Sequence, residues 1–271
     1  MTSPDRIAYD ACPLCESQDF SPLCRGDGSD HTLYQQAVQG ADEKNRLTPL
    51  IQWCACRACG HVFTDGYFKP EVFARLTQVV SPGQIVDRDF ERQRMVSARM
   101  IEKVLSYAAE GTWLDVGFGN GALLMTASEY GFETVGCDLR PAAVKVLQAV
   151  GIEAHLSDIV QLSLPRPCQV ISMADVLEHM PYPKTGLAAA RERLADGGIL
   201  LLSMPNRDAP AWRLLDRMNA NPYWGEIEHY HNFGRARLYR LLGEMGFAPV
   251  RYGISERYRV SMEVIARKIP A

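Results

Sequence analysis

The sequence predicts an α/β protein with a mostly parallel sheet, preceded by a small cysteine-bound module. Three observations carry that expectation. From Thr112 onward, short apolar strands alternate with helix-like stretches. One of those strands runs straight into three alternating glycines, Gly117, Gly119 and Gly121. Ahead of them, five of the eight cysteines gather in two clusters within residues 1–68, with Cys24 between the clusters.

A chain of 271 residues with 47% hydrophobic and 23% charged side chains can bury a real core. Its net charge of −3 gives no sign of the broad basic field of a nucleic-acid binder, so a nucleic-acid partner is not expected. Arg88, Arg92, Arg94 and Arg99 crowd one stretch, and a solvated helix face is the simpler reading of them. No apolar run approaches the ~20 residues that span a bilayer. The start, MTSPDRIAYDACPLC, has no apolar signal core, so a cytoplasmic location and no membrane partner are expected. In that compartment eight cysteines point to metal or redox chemistry rather than disulfides.

Cys12-Pro13-Leu14-Cys15 and Cys56-Arg57-Ala58-Cys59-Gly60 are two C-x-x-C units. Two residues between thiolates let both reach one metal, and two units complete a tetrahedral S₄ site suited to structural Zn²⁺. Phe20 and Phe63 are expected beside it, standing in for a large core. Cys24 and Cys54 read as ordinary thiols. Residues 1–68 therefore form a zinc-ribbon-like module.

Residues 69–110 read as a helical linker or substrate cap. Pro70 opens a helix, and Met95, Ala98, Ile101, Val104 and Leu105 recur at helical spacing. Residues 111–271 give the sheet domain. Strands are expected at Trp113–Val116, Thr134–Cys137, Ile152–His155, Gln169–Met173 and Gly198–Ser203. Helices are expected at Gly121–Tyr130, Ala142–Ala149 and about Lys184–Leu194. A helix at Arg235–Met245 and strands near Pro249–Tyr252 and Met262–Arg267 close the chain.

The glycine-rich turn carries the most chemistry. Glycines let the backbone take unusual angles and let a ligand approach closely, and the helix behind them offers free N–H groups. Asp138, at the end of the next strand, is placed to accept ribose hydroxyls. Gly117, Gly119 and Ala122 also fit G-x-G-x-x-A, a dinucleotide pattern that is weak alone. Asp115 inside the strand speaks against a pyrophosphate, which it would repel, and for a cationic ligand.

Here the chain resembles the class I methyltransferases that use S-adenosyl-L-methionine, from about Arg94 to Arg267. LDVGFGNG, with Asp115, Gly117, Gly119 and Gly121, resembles their glycine signature. GCDL, with Asp138 and Leu139, resembles their ribose motif, and LSDI, with Asp158 and Ile159, their adenine loop. MADVLEHM, with Ala174 and Asp175, and LADGGILLLSMPN are similar to their fourth- and fifth-strand motifs. The resemblance implies a Rossmann-like seven-stranded sheet whose last strand is antiparallel. The cysteine region resembles modules ahead of some bacterial methyltransferases that modify deoxysugars or ribosomal RNA.

Catalytic candidates fall in two places. Glu178 and His179 follow the fourth strand, where similar ubiquinone-pathway O-methyltransferases keep a Glu-His pair near the acceptor. His229 and His231 lie in the stretch Tyr223–Phe233, expected to form a lid, with Glu226 and Glu228 beside them to orient an imidazole. The reading is methyl transfer to a small-molecule acceptor, a hydroxyl of a sugar or secondary-metabolite intermediate. Two alternatives stand against it. One is an RNA methyltransferase gripping RNA with the zinc module, which the negative net charge disfavours. The other is a non-catalytic interaction protein, which the intact glycine signature disfavours.

Overall fold

A computed structural model describes residues 4–38, 47–77, 85–86, 89–257 and 260–270. Arg88 lies outside them. The described residues fall into two compact units, one drawn from 1–81, 178–183 and 205–238, the other from 82–177, 184–204 and 239–271. The first begins with β1 (Arg6–Ala8), β2 (Phe20–Asp27), α1 (Thr32–Val38), β3 (Leu50–Cys56), β4 (Val62–Thr64), β5 (Gly66–Phe68) and α2 (Pro70–Leu76).

The second unit starts with α3 (Phe90–Leu105) and then alternates strand and helix. It runs through β6 (Thr112–Val116), α4 (Ala122–Glu129), β7 (Glu133–Asp138), α5 (Pro141–Ala149) and β8 (Glu153–Leu156). β9 (Cys168–Ala174), α6 (Pro183–Arg193) and β10 (Leu194–Pro205) follow. The chain then makes α7 (Pro210–Arg217) and β11 (His231–Asn232) before α8 (Arg235–Glu244), β12 (Phe247–Ile254) and β13 (Ser261–Lys268).

The seven strands order as β12-β13-β10-β9-β6-β7-β8. The pairs β10–β9, β6–β9, β6–β7 and β7–β8 are parallel, while β13 runs antiparallel to β12. This is the seven-stranded sheet expected from the motifs. Central β6 is buried along its whole length, as a strand covered on both faces must be. Met100, Ile101 and Val104 of α3 pack with Trp113, Leu123, Phe132, Val170 and Ile265 in one core. Phe118, Leu124, Val144 and Leu147 form a second core. The stretch expected as a linker is therefore divided. α3 packs with the sheet, whereas Val72 and Leu76 of α2 enter the core of the first unit. On the exposed face of α3, Arg94 pairs with Glu129 and Arg99 with Glu256, as a solvated helix face would.

The first unit is richer in strands than its sequence suggests. β11, β4, β3 and β2 make a four-stranded sheet, and β1 pairs with β5. β11 reaches it from far along the chain, placing His231 opposite Phe63 and Asn232 opposite Val62. Trp53, Val62, Phe68, Ile227 and Tyr230 share its core. Among the described residues no helix is long and apolar enough to cross a membrane.

Gly26 of β2 shows how closely the returning segment packs. A Cβ there would come within 1.6 Å of the Trp224 carbonyl oxygen. That oxygen cannot retreat freely, because it accepts the Trp53 indole N–H at 2.9 Å. Gly26→Ala is expected to destabilise this unit by about 3 kcal/mol or more. A thermal melt that superimposes on the wild type would contradict the packing.

Candidate functional site

The glycine turn adopts the backbone its sequence requires. Gly117, Gly119 and Gly121 have φ of 62°, 61° and 76°, a region that other residues enter only at a cost. A Cβ on Gly117 would press on Val176, and one on Gly121 on Leu147. On Gly119 it would meet only the Gly117 carbonyl oxygen, at 3.9 Å. The turn is thus closed beneath and open at its middle glycine. Asn120 Oδ1 accepts the Ala122 N–H at 3.1 Å just ahead of α4.

Asp115 sits at the end of β6 with 3% of its surface exposed. The Trp113 indole N–H donates to Ser172 Oγ at 2.9 Å, and the Ser172 hydroxyl donates to Asp115 Oδ1 at 2.6 Å. Burial nevertheless pushes the Asp115 acid up to about 7, with Ser172 and Arg257 opposing the shift. The carboxylate lines a cleft shared with Gly117, Asn120, Ala174, Ser97 of α3 and Arg257. A ligand ammonium fits there, because it would supply the charge that water no longer does.

Asp138 is clasped. Arg140 donates from Nε to Oδ1 at 2.9 Å and from Nη2 to Oδ2 at 2.7 Å, and the Gly119 N–H reaches Oδ2 at 3.3 Å. The Arg140 N–H adds a second bond to Oδ1 at 3.0 Å, so each oxygen already accepts two hydrogen bonds, and a hydroxyl binding here would replace part of the clasp. Leu139 beside it is exposed, and Ile159 is buried. Asp158 Oδ1 accepts the Gln161 N–H at 2.8 Å, which fixes the turn after β8. Asp175 has φ of 57°, and its Oδ2 lies 3.5 Å from Arg257 Nη1. Neither Arg140 nor Arg257 was found from the sequence. Arg140 stands two residues past Asp138, a spacing that could have been read, whereas nothing local marks Arg257.

In the first unit the four knuckle cysteines converge. All four sulfurs lie within 4.8 Å of one another, with Cys12 3.7 Å from Cys59 and Cys15 3.5 Å from Cys56. Those separations far exceed a disulfide bond. They match the ~3.8 Å between sulfurs around a tetrahedral zinc with Zn–S near 2.3 Å. The two knuckles share a backbone device, since Glu16 and Gly60, each just after the second cysteine, have φ of 62° and 73°. Phe20 and Phe63 pack edge to face at 5.3 Å. Cys24 and Cys54 stand outside the group, and burial pushes both thiols up to about 11.

Glu178, His179 and His229 also converge, each offering a ligand atom within 4.8 Å of the others. His179 Nδ1–H donates to the Glu228 carbonyl at 3.0 Å, so the neutral ring keeps its lone pair on Nε2. The His179 and His229 rings meet edge to face at 4.6 Å. His229 Nδ1 is buried with no hydrogen-bond partner among the described residues, and burial holds the ring well below its ordinary pKa. His231 is different. Its Nε2–H donates to the Met180 carbonyl at 2.9 Å, leaving Nδ1 to accept His61 Nε2–H at 3.0 Å. The ring is fully buried, and burial pushes it down to about 4. Nor does Glu226 orient His229, because its carboxylate meets His31 Nε2 at 2.6 Å.

Residues 90–252 match the model of a methyltransferase domain, and the chain belongs to that family. It is 28% identical over 153 residues to a ubiquinone biosynthesis O-methyltransferase of Nitrosococcus oceani, covering 53% of this chain and 65% of that protein. A protein of the same name from Paramagnetospirillum magneticum is 34% identical over 109 residues, 38% of this chain and 44% of its own length. The chain thus spans less than two thirds of the length of these relatives. Among solved structures it is similar to Burkholderia thailandensis 1,6-didemethyltoxoflavin-N1-methyltransferase with bound S-adenosylhomocysteine. The TM-score is 0.52 at 21% identity, over 67% of this chain and 80% of that one. Magnesium protoporphyrin IX methyltransferase from Synechocystis PCC 6803 gives 0.52 at 18% identity, over 75% and 90%. These likenesses establish the fold.

The state of Asp115 makes a pH-dependent expectation. A ligand ammonium pairs with the ionised carboxylate, so S-adenosylhomocysteine affinity should rise with pH up to about 7 and then level off. In the ligand-free protein the sign reverses. An acid whose folded pKa is raised disfavours folding as pH climbs from its unfolded value through about 7. Asp115→Asn should therefore raise Tm more at pH 8 than at pH 5 while weakening the ligand. Calorimetry at several pH values and paired melts check both halves.

Proposed function

We propose that this chain transfers the methyl group of S-adenosyl-L-methionine to a hydroxyl of a small molecule, a sugar or secondary-metabolite intermediate. The observation that carries the proposal is the buried Asp115 carboxylate facing a cleft beside a glycine turn that is open at Gly119. An ammonium and a sulfonium suit that carboxylate, whereas a pyrophosphate does not. In this reading Gly117, Gly119 and Gly121 let the donor approach, and Asp138 with Leu139 receives the ribose. Asp158 with Ile159 receives the adenine, and Ala174 and Asp175 flank the cleft. The curated relatives named as O-methyltransferases support a hydroxyl acceptor.

When bound, the donor supplies an activated methyl, whose bond to sulfur breaks as the acceptor oxygen attacks. The protein's part is alignment and removal of the acceptor's proton. We assign that proton to His229, whose buried ring stands against His179 and Glu178. His231 takes a supporting role, since both of its nitrogens are engaged within the fold. Convergence of Glu178, His179 and His229 also suits a divalent ion that would polarise the hydroxyl. A screen of hydroxyl-bearing acceptors, nucleotide sugars first, with labelled donor tests the activity. With the acceptor in hand, His229→Ala should lower turnover by 10²–10⁴-fold, roughly the contribution of a general base. Donor affinity should stay unchanged. Activity that persists in chelator supports the base, and activity lost and restored by Mg²⁺ supports the ion.

The Cys12, Cys15, Cys56 and Cys59 group is proposed to hold one structural zinc. Elemental analysis should find one zinc per chain. Cys56→Ser should lose it and lower the melting temperature, because a structural metal contributes directly to folding of a small module. Full zinc content in that variant would overturn the ligand set.

A further inference from the structure

The cleft beside Asp115 contains a second charge that the glycine motif does not account for. Among the described residues that line it, Arg257, which follows β12, is the one basic residue. Two other cations of the neighbouring wall pair with carboxylates outside the cleft's lining. Lys103 of α3 lies 2.7 Å from Glu263 and 2.8 Å from Glu256, and Arg99 lies 3.6 Å from Glu256.

Several contacts fix Ser255 and the backbone of Arg257. The Arg257 N–H donates to Ser255 Oγ at 3.1 Å, and Ser255 Oγ lies 3.2 Å from Ser203 Oγ at the end of β10. The Ser255 N–H reaches the Ser261 carbonyl at 3.0 Å and closes the hairpin. The guanidinium is then steered by Asp175 at 3.5 Å, with 30% of the side chain exposed. A guanidinium recognises a carboxylate in fork geometry and can serve more than one at a time. The cleft thus offers an anion at Asp115 and a cation at Arg257, the complement of a zwitterionic α-amino acid.

We propose that Arg257 anchors the carboxylate at the methionine end of the donor, while Asp115 takes its ammonium. The proposal rests on the donor reading above and adds a residue that sets specificity for the amino-acid end. Asp175 acts as a positioning residue, holding the guanidinium over the cleft.

Two ligands separate the carboxylate from the rest of the donor. S-adenosylhomocysteine has both amino-acid charges, and 5′-(3-aminopropylthio)-5′-deoxyadenosine keeps the ammonium but lacks the carboxylate. Calorimetric titration of the wild-type protein, Arg257→Ala and Arg257→Lys with both ligands is the experiment. Arg257→Ala should weaken S-adenosylhomocysteine about tenfold or more, the usual size of a lost charge-assisted hydrogen bond. It should change the decarboxylated ligand less than about twofold, within ordinary surface effects. Arg257→Lys should recover part of the loss. Equal weakening of both ligands, or of neither, would overturn the anchor and leave the donor reading standing. If the wild-type protein binds neither ligand, the donor reading fails and the anchor with it.

Discussion

A carboxylate held out of water at the end of the central strand sets the conditions for everything around it. Asp115 cannot be left bare in a strand buried along its whole length, because an unpaired buried charge is expensive. The neighbouring strand answers with Ser172, and Trp113 fixes which way that hydroxyl points. Even so, the acid stays raised to about 7, so one hydrogen bond is an incomplete replacement for hydration. The cleft, the open middle of the glycine turn and the guanidinium of Arg257 are all arranged around this deficit. A fold optimised for stability alone would place an apolar residue there. Retaining a destabilised acid there accords with the proposed donor site.

The first unit is organised by a different constraint. Two tight knuckles and short strands do not make a core of their own, and the missing apolar surface comes from far along the chain. Ile227 and Tyr230 enter the core, and β11 completes the sheet beside β4. The same return carries His231 against His61, two residues beyond Cys59, and on to the Met180 carbonyl. The Tyr230 N–H donates to the Glu178 carbonyl at 2.8 Å, and the Thr64 N–H to the Tyr230 carbonyl at 3.0 Å. The turn bearing Glu178 and His179 is therefore braced by the same strands that carry the second cysteine knuckle.

That division explains what could be read in advance. The order of the strands along the chain, the glycine turn and the acidic residue at the end of β7 were legible because each belongs to a contiguous stretch with a local pattern. The four cysteines were legible because a metal demands a fixed spacing. β11, the Arg140 clasp and Arg257 were not, since each is defined by a partner brought in by the fold. β11 has two residues and no alternation to detect. Glu226 looked like a partner for His229 because it is near in sequence, yet it meets His31 from the other end of the unit.

The two histidines of the returning segment sharpen the point. By composition they are equivalent, and both sit among aromatics and carboxylates. Strand pairing separates them. His231, inside β11, faces the sheet, and its two nitrogens are consumed by a carbonyl and another imidazole. His229, just before the strand, has no ladder partner to satisfy, and its ring lies against His179. An imidazole committed at both nitrogens can brace a turn but cannot take a proton without breaking a buried bond. One that keeps a nitrogen outside such bonds can. Position relative to a two-residue strand, rather than residue type, therefore decides which of them is chemically available.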